Sequence, residues 1–120
     1  MSTLLIFLGG GAGAVLRHAV NGVALRLVGP AWPAGTFAVN VLGSFAMGLL
    51  VGWLVRNNVP SELRLTLATG LLGGFTTFSA FSLDAVNLWQ RGEIASAALY
   101  VGASVTLSLA ASAAGLGLAR

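Results

Sequence analysis

The stretch Gly70 to Ser82, GLLGGFTTFSAFS, constrains the fold more than any other part of the chain. It lies inside an apolar segment running from about Leu63 to Trp89, long enough to cross a bilayer at about 1.5 Å per helical residue. Its composition suits an unbroken membrane helix poorly. Gly70, Gly73 and Gly74 lower helix propensity, and the hydroxyls of Thr76 and Thr77 compete for backbone partners, so a break or loosened turn is expected near Gly73 to Thr77. Carbonyls freed there lie where lipid offers no donor; another helix, trapped water or a bound cation must satisfy them. Just beyond, Phe78 and Phe81 share a helix face and are expected to present two rings along one wall.

Three further apolar runs accompany this one, at about Leu4 to Val28, Gly35 to Val55 and Ile94 to Leu118. With 57% of its 120 residues hydrophobic and 8% charged, the chain falls outside the soluble range and reads as an all-α membrane protein, a single four-span unit. The run from Leu4 lacks the basic leading region and short length of a cleaved signal, so it is read as a retained span. Cysteine is absent, which excludes disulfides, thiolate metal sites and thiol nucleophiles. Lysine is absent, and six arginines against three acids set a net charge of +3. Such a chain favours an anion over a cation, although loop arginines in membrane proteins also serve topology alone.

Within the first span, Gly9 and Gly13 form a GxxxG pair on a face that another backbone can approach closely. Arg17 lies deep in the same span, as a functional group facing water or a partner, or as a side chain snorkelling to the interface. His18 has no second ligand at metal-site spacing and reads as facing a headgroup region. The loop GPAWPA ends the first helix, starts the second, and places Trp32 at the interface. Asn40 is the strongly polar side chain at the middle of the second span. It reads either as an interhelical hydrogen bond or as an amide donor turned toward an anion. Ser44, Gly48 and Gly52 continue from it as a small-residue packing seam.

The hydrophilic loop Arg56 to Arg64 is a boundary, with Ser61 expected to cap the third helix. Asp84 stands near the aqueous end of the third span, either as an ordinary helix-end charge or as a carboxylate at a pore mouth. In the fourth span Tyr100, Ser104, Ser108 and Ser112 recur every four residues. Ser108 and Ser112 are expected to bond their own backbone one turn back, while Tyr100 and Ser104 remain open to a polar partner across the bundle.

Four spans put Arg56, Arg64, Arg120 and the amino terminus on one side, and Arg26 and Arg91 on the other. So small a charge difference allows insertion in both orientations, and oppositely inserted copies can pair as an antiparallel dimer. Four helices are thin material for enclosing a pathway, and their glycine-lined faces call for partners.

Three motifs meet in this chain: GGxxGAxxR from Gly9 to Arg17, GTxxVNxxGSFxxG from Gly35 to Gly48, and GxxGGFTTFSxFS from Gly70 to Ser82. Together they resemble the Fluc/CrcB fluoride channel family over essentially the whole chain. The resemblance implies a multi-pass protein of the cell inner membrane, a dual-topology antiparallel homodimer with two fluoride pores, a structural sodium ion at its centre, and passive efflux that protects against fluoride. By position, Asn40 is similar to the family's pore asparagine, and Phe78 and Phe81 to its two pore phenylalanines. Gly73 and Thr76 match the third-helix break whose carbonyls hold sodium. Thr77 and Ser79, with Tyr100 and Ser104, match the polar path, and Arg17 the arginine of the first motif. Ala80, where the family often has threonine, and Asp84, where glutamate is common, are departures.

Fluoride is small and strongly hydrated, so a low-dielectric route must replace its water with donors. Asn40 and the serine and threonine hydroxyls supply them, while ring edges of Phe78 and Phe81 are electropositive. The competing class is a small multidrug-resistance-type proton-coupled transporter, which needs an intramembrane carboxylate that Leu4 to Leu27 lacks. A purely structural membrane subunit is a third reading. One histidine and three acids assemble no catalytic set, so the chain is not read as an enzyme, and nothing in it points to nucleic acid.

Overall fold

A computed structural model describes residues 2–119; Arg120, one of the charges weighed for orientation, lies outside them. The described residues are helical throughout, joined by short turns, with no strand among them. The chain forms α1 (Ser2–Val28), α2 (Ala34–Asn57), a short α3 (Ser61–Arg64) that opens into a π-helical segment (Leu65–Leu72), α4 (Gly73–Phe75), α5 (Phe78–Gln90) and α6 (Ile94–Ala119). Four helical stretches are long and apolar enough to cross a membrane: Ser2–Val28, Ala34–Asn57, Ser61–Gln90 and Ile94–Ala119. The 49 Å long axis matches a bilayer of about 40–45 Å with its headgroups.

Glycine decides which helices touch. On α1, a Cβ at Gly9 would lie 2.8 Å from the Thr66 carbonyl oxygen and 3.1 Å from the Leu71 amide, and one at Gly13 would strike the Leu71 carbonyl. The GxxxG face of α1 therefore lies against residues 66–75. The wider π-helical turn brings Gly70 to within reach of Ile6 and Gly9. On α2, Gly48 meets the Ser112 carbonyl of α6, Gly115 of α6 meets the Phe45 carbonyl, and Gly52 meets Ala119. The small-residue seam of α2 is thus the surface that receives α6, with backbones at distances only glycine allows.

Two local expectations give way. Ser61 does not cap the third span: Pro60 is its N-cap residue, no side chain bonds there, and Ser61 is the first helical residue. Proline's missing N–H is lost without penalty at a helix start, so no hydroxyl is needed to define it. Ser112 does not bond one turn back either. Its hydroxyl donates to the Ser44 carbonyl oxygen at 3.0 Å, because the glycine seam brings α2 close enough to compete with its own helix.

The two ends are tied differently. At one, the Arg56 guanidinium donates to the Ala119 carbonyl oxygen at 3.0 Å, joining the last turns of α2 and α6. At the other, α5 ends in a Schellman turn: Gly92 has φ 80°, its N–H bonds Trp89 O at 3.0 Å, and Glu93 N–H bonds Leu88 O at 3.0 Å. Between the ends the buried core is small, comprising Val39, Leu54, Phe81, Leu88, Ala97 and Tyr100. Phe7, Val15, Leu27, Val55, Phe78 and Leu109 are among many large apolar side chains left exposed, a surface suited to lipid or to another protein chain rather than to water.

Candidate functional site

The site forms where the third span leaves helical geometry. Thr76 (φ −83°, ψ 158°) and Thr77 (φ −152°, ψ 124°) are extended, and α5 begins immediately after them. Thr77 caps α5, its Oγ1 accepting from the Ala80 N–H at 3.1 Å. The Thr76 hydroxyl instead donates backward to Leu72 O at 3.0 Å, closing the last turn before the interruption.

Asn40 holds this interruption from α2. Its Oδ1 accepts the Thr77 N–H at 2.8 Å, while its Nδ2 donates to the Thr77 carbonyl oxygen at 2.9 Å. One primary amide thus replaces both backbone partners that Thr77 has lost, which satisfies two polar groups that lipid cannot serve. Gly43, three residues along α2, provides the clearance, since a Cβ there would strike Thr76 Cγ2 and lie 3.2 Å from the Phe75 ring. The interhelical reading of Asn40 is the one these bonds show; Nδ2 carries a second hydrogen beyond the one given to Thr77.

That amide borders a recess of about 240 Å³ lined by α2, the interruption and α6. Asn40, Thr76, Thr77, Phe78, Phe81 and Ser104 all reach it. The Ser104 hydroxyl oxygen is buried and has no hydrogen-bond partner within the protein. Ser44 and Ser108 line the recess as well, although spacing along their own helices places Ser44 on the seam and Ser108 on its own backbone. The signal was present in the four-residue spacing, since Ser44 follows Asn40 and Ser108 follows Ser104 by one turn each. The result is a concave wall of one amide, several hydroxyls and two rings.

The two phenylalanines are not equivalent. Their centroids lie 5.6 Å apart with planes at 49°, and Phe81 is 8% exposed whereas Phe78 is 77% exposed. Phe81 is braced by Tyr100, at 5.2 Å between centroids, while Phe78 borders the recess with most of its surface exposed. The expected wall of two rings is a step, with one ring anchored and one bare.

Other candidates fall outside the recess. Tyr100 is fully buried behind Phe81, and its hydroxyl donates to Asp84 at 3.3 Å. Ser79 is exposed on the first turn of α5, 3.4 Å from the Thr77 hydroxyl. Gly73 is exposed before the interruption. Arg17 borders a separate cavity of about 250 Å³ with Ala14, His18 and Asn21, where its buried Nε has no partner. A third cavity, of about 460 Å³, opens at the end of the bundle that carries the two short loops, and Asn21, Trp32, Thr36, Ala80, Asp84 and Arg91 are on its wall. Ala80 lines this outer cavity and not the recess.

The backbone also leaves carbonyls without helical partners. Thr77 N–H, the ordinary donor to Gly73 O, is taken by Asn40, and Ala80 N–H, the ordinary donor to Thr76 O, is taken by the Thr77 hydroxyl. Both carbonyl oxygens are thereby released from the helical ladder and are hard, neutral donors of the type that binds hard cations.

Known proteins share this sequence throughout. The family model described as CrcB-like protein, Camphor Resistance (CrcB), matches residues 4–116. A fluoride-specific ion channel FluC of Rhizobium etli is 54% identical over 121 residues, covering 100% of this chain and 97% of that protein. The FluC of Mesorhizobium japonicum is 55% identical over 117 residues, covering 98% and 94%, and that of Rhodopseudomonas palustris is 53% identical over 121 residues, covering 100% and 98%.

Proposed function

This chain belongs to the CrcB-like family, and on that premise we propose that it is a fluoride-selective ion channel giving passive fluoride efflux and resistance. The observation that carries the reading is likeness at more than half of all positions, over the full chain, to proteins named as fluoride-specific channels. The protein is a multi-pass membrane protein. Its assembly is read as an antiparallel, dual-topology homodimer of the inner membrane with two pores. The exposure of Phe78 and the thin enclosure of the recess by one protomer support a partner that completes the wall.

In this reading fluoride passes along the recess. Asn40 uses one amide hydrogen to hold Thr77 and offers the other to the ion, so the group that builds the site also recognises its occupant. Ser104, whose oxygen has no protein partner, and Thr77, Ser44 and Ser108 supply further hydroxyls along the wall. Phe78 and Phe81 turn positive ring edges toward the anion and bound the width of the path. Several weak donors in sequence lower the dehydration cost without trapping the ion, which conduction requires. Ser79, Tyr100 and Arg17 belong to the approach: Ser79 beside the Thr77 hydroxyl, Tyr100 behind Phe81, and Arg17 as a positive charge drawing anions inward.

The carbonyls of Gly73 and Thr76 fit a sodium ion at the interruption of the third span, which is read as the family's helix break, because their usual N–H partners are committed elsewhere. A sodium ion held by these carbonyls would supply fixed positive charge beside the path. The chain's own contribution is to keep those oxygens unpaired through Asn40 and the Thr77 cap.

The decisive experiment is efflux from liposomes holding purified protein. Fluoride is expected to leave rapidly and chloride to be retained. Vesicles that release neither halide, or both equally, would remove the assignment.

A further inference from the structure

A run of aromatic contacts connects the loop at the aqueous end of the molecule to the recess. Trp32 stands edge-on to Tyr100, with centroids 5.3 Å apart and planes at 88°, and is 5.3 Å from Phe37. Tyr100 in turn meets Phe81 at 5.2 Å, and Phe81 meets Phe78 at 5.6 Å. Tyr100 is fully buried, pinned at its hydroxyl by Asp84 and bounded on one side by the indole. Phe81 turns about two side-chain torsions, and the ring against which it rests is Tyr100. The phenol is thus the buried ring against which Phe81 packs, whereas Phe78 is the exposed one.

Trp32 sits in the short loop between α1 and α2, where no helical ladder fixes it. The tie comes from the other loop. Arg91 donates to the carbonyl oxygen of Ala31 at 2.9 Å, and the same nitrogen pairs with Glu93 at 3.0 Å. The ion pair is half exposed and screened by water, so its own contribution is small. Its consequence is positional, since it directs the guanidinium at the carbonyl beside Trp32. The Schellman turn at Gly92 places Arg91 and Glu93 for this contact. Trp32 borders the outer cavity and not the recess.

We propose that Trp32, held by Arg91 through the Ala31 carbonyl, is a positioning residue that acts through Tyr100 to set the angle at which Phe81 presents its ring to the recess. The inference rests on the fluoride-channel reading and adds to it a determinant of throughput remote from the ion path. Removing the indole opens a space beside Tyr100 into which the phenol can swing, and Phe81 then loses the tilted contact that sets its ring.

The test uses full-length protein in liposomes, with two quantities read separately: the fraction of vesicles that release fluoride, and the rate of release per active vesicle. A folding fault lowers the fraction, whereas a misplaced ring lowers the rate. Trp32→Ala is expected to cut the rate about tenfold with the active fraction unchanged, while Trp32→Phe keeps it within about threefold of wild type, the aromatic contact being worth about one power of ten. Arg91→Gln is expected to slow release a few-fold, roughly threefold, at both low and high ionic strength, since a hydrogen bond is not screened as a distant charge is. A wild-type rate for Trp32→Ala, a loss confined to the active fraction, or equal losses for Ala and Phe would overturn the proposal. An Arg91→Gln effect that vanishes in high salt would overturn the latch and assign Arg91 to long-range attraction. Wild-type protein that passes no fluoride would instead overturn the channel reading beneath it.

Discussion

Asn40 is the residue on which the recess depends. Its amide makes two hydrogen bonds to Thr77, at 2.8 and 2.9 Å, so substitution leaves a part-buried N–H and a part-buried carbonyl unpaired together. Asn40→Leu, close in volume but unable to bond, is expected to destabilise the protein by about 2–4 kcal/mol and to abolish fluoride release. A lowered melting temperature in detergent, measured beside vesicle efflux, checks both effects. The phenylalanines separate stability from transport. Because Phe78 is 77% exposed in the protomer, Phe78→Ile is expected to leave the melting temperature nearly unchanged while nearly stopping flux. Phe81→Ile removes packing against Tyr100 as well and is expected to cost about 1 kcal/mol in addition to flux. Unchanged flux in either variant would take that ring out of the mechanism.

Among the elements, the α2–α6 pair carries the hydroxyl wall and depends on glycine at its crossing. Gly48 faces the Ser112 carbonyl and the Leu116 amide, both backbone groups that cannot turn aside. Gly48→Ala is therefore expected to force the helices apart, at about 1–3 kcal/mol, and to break the Ser112 to Ser44 hydrogen bond. Gly22 of α1 has open space where its Cβ would stand, so Gly22→Ala is the matched control and is expected to be neutral or slightly stabilising. Thermal unfolding of the two variants side by side decides this, and equal stability would mean that the crossing tolerates separation. The third span behaves differently. Its π-helical turn and two extended threonines interrupt the α-helical ladder, and that stretch is held by α1 on one side and Asn40 on the other.

At the scale of the whole molecule, a small core and a broad apolar surface suit contact with lipid or with another protein chain. If paired protomers bring together the unpartnered carbonyls of Gly73 and Thr76, sodium becomes part of the paired structure. Replacing sodium by a large organic cation on both sides of the membrane is then expected to slow fluoride release and to lower the thermal stability of the dimer. Indifference of both quantities to the cation would remove sodium from the assembly. Cross-linking between cysteines introduced at opposite ends of α1 would distinguish antiparallel from parallel pairing.

The sequence alone determined the membrane class, because four long apolar runs with 8% charge have no other stable solvent. It also singled out Asn40, the two phenylalanines and Ser104, since periodicity along one helix reveals a polar or aromatic face. Low helix propensity from Gly73 to Thr77 was legible too, but the extended setting of Thr76 and Thr77 requires an amide supplied from another helix. Which face meets which was decided only in three dimensions. The register between helices follows from where glycine lets backbones touch, and that register brought Ser44 and Ser108 into the recess while leaving Arg17 and Tyr100 outside it. Spacing within a helix is a local property of the chain; the distance between two helices is a property of their packing.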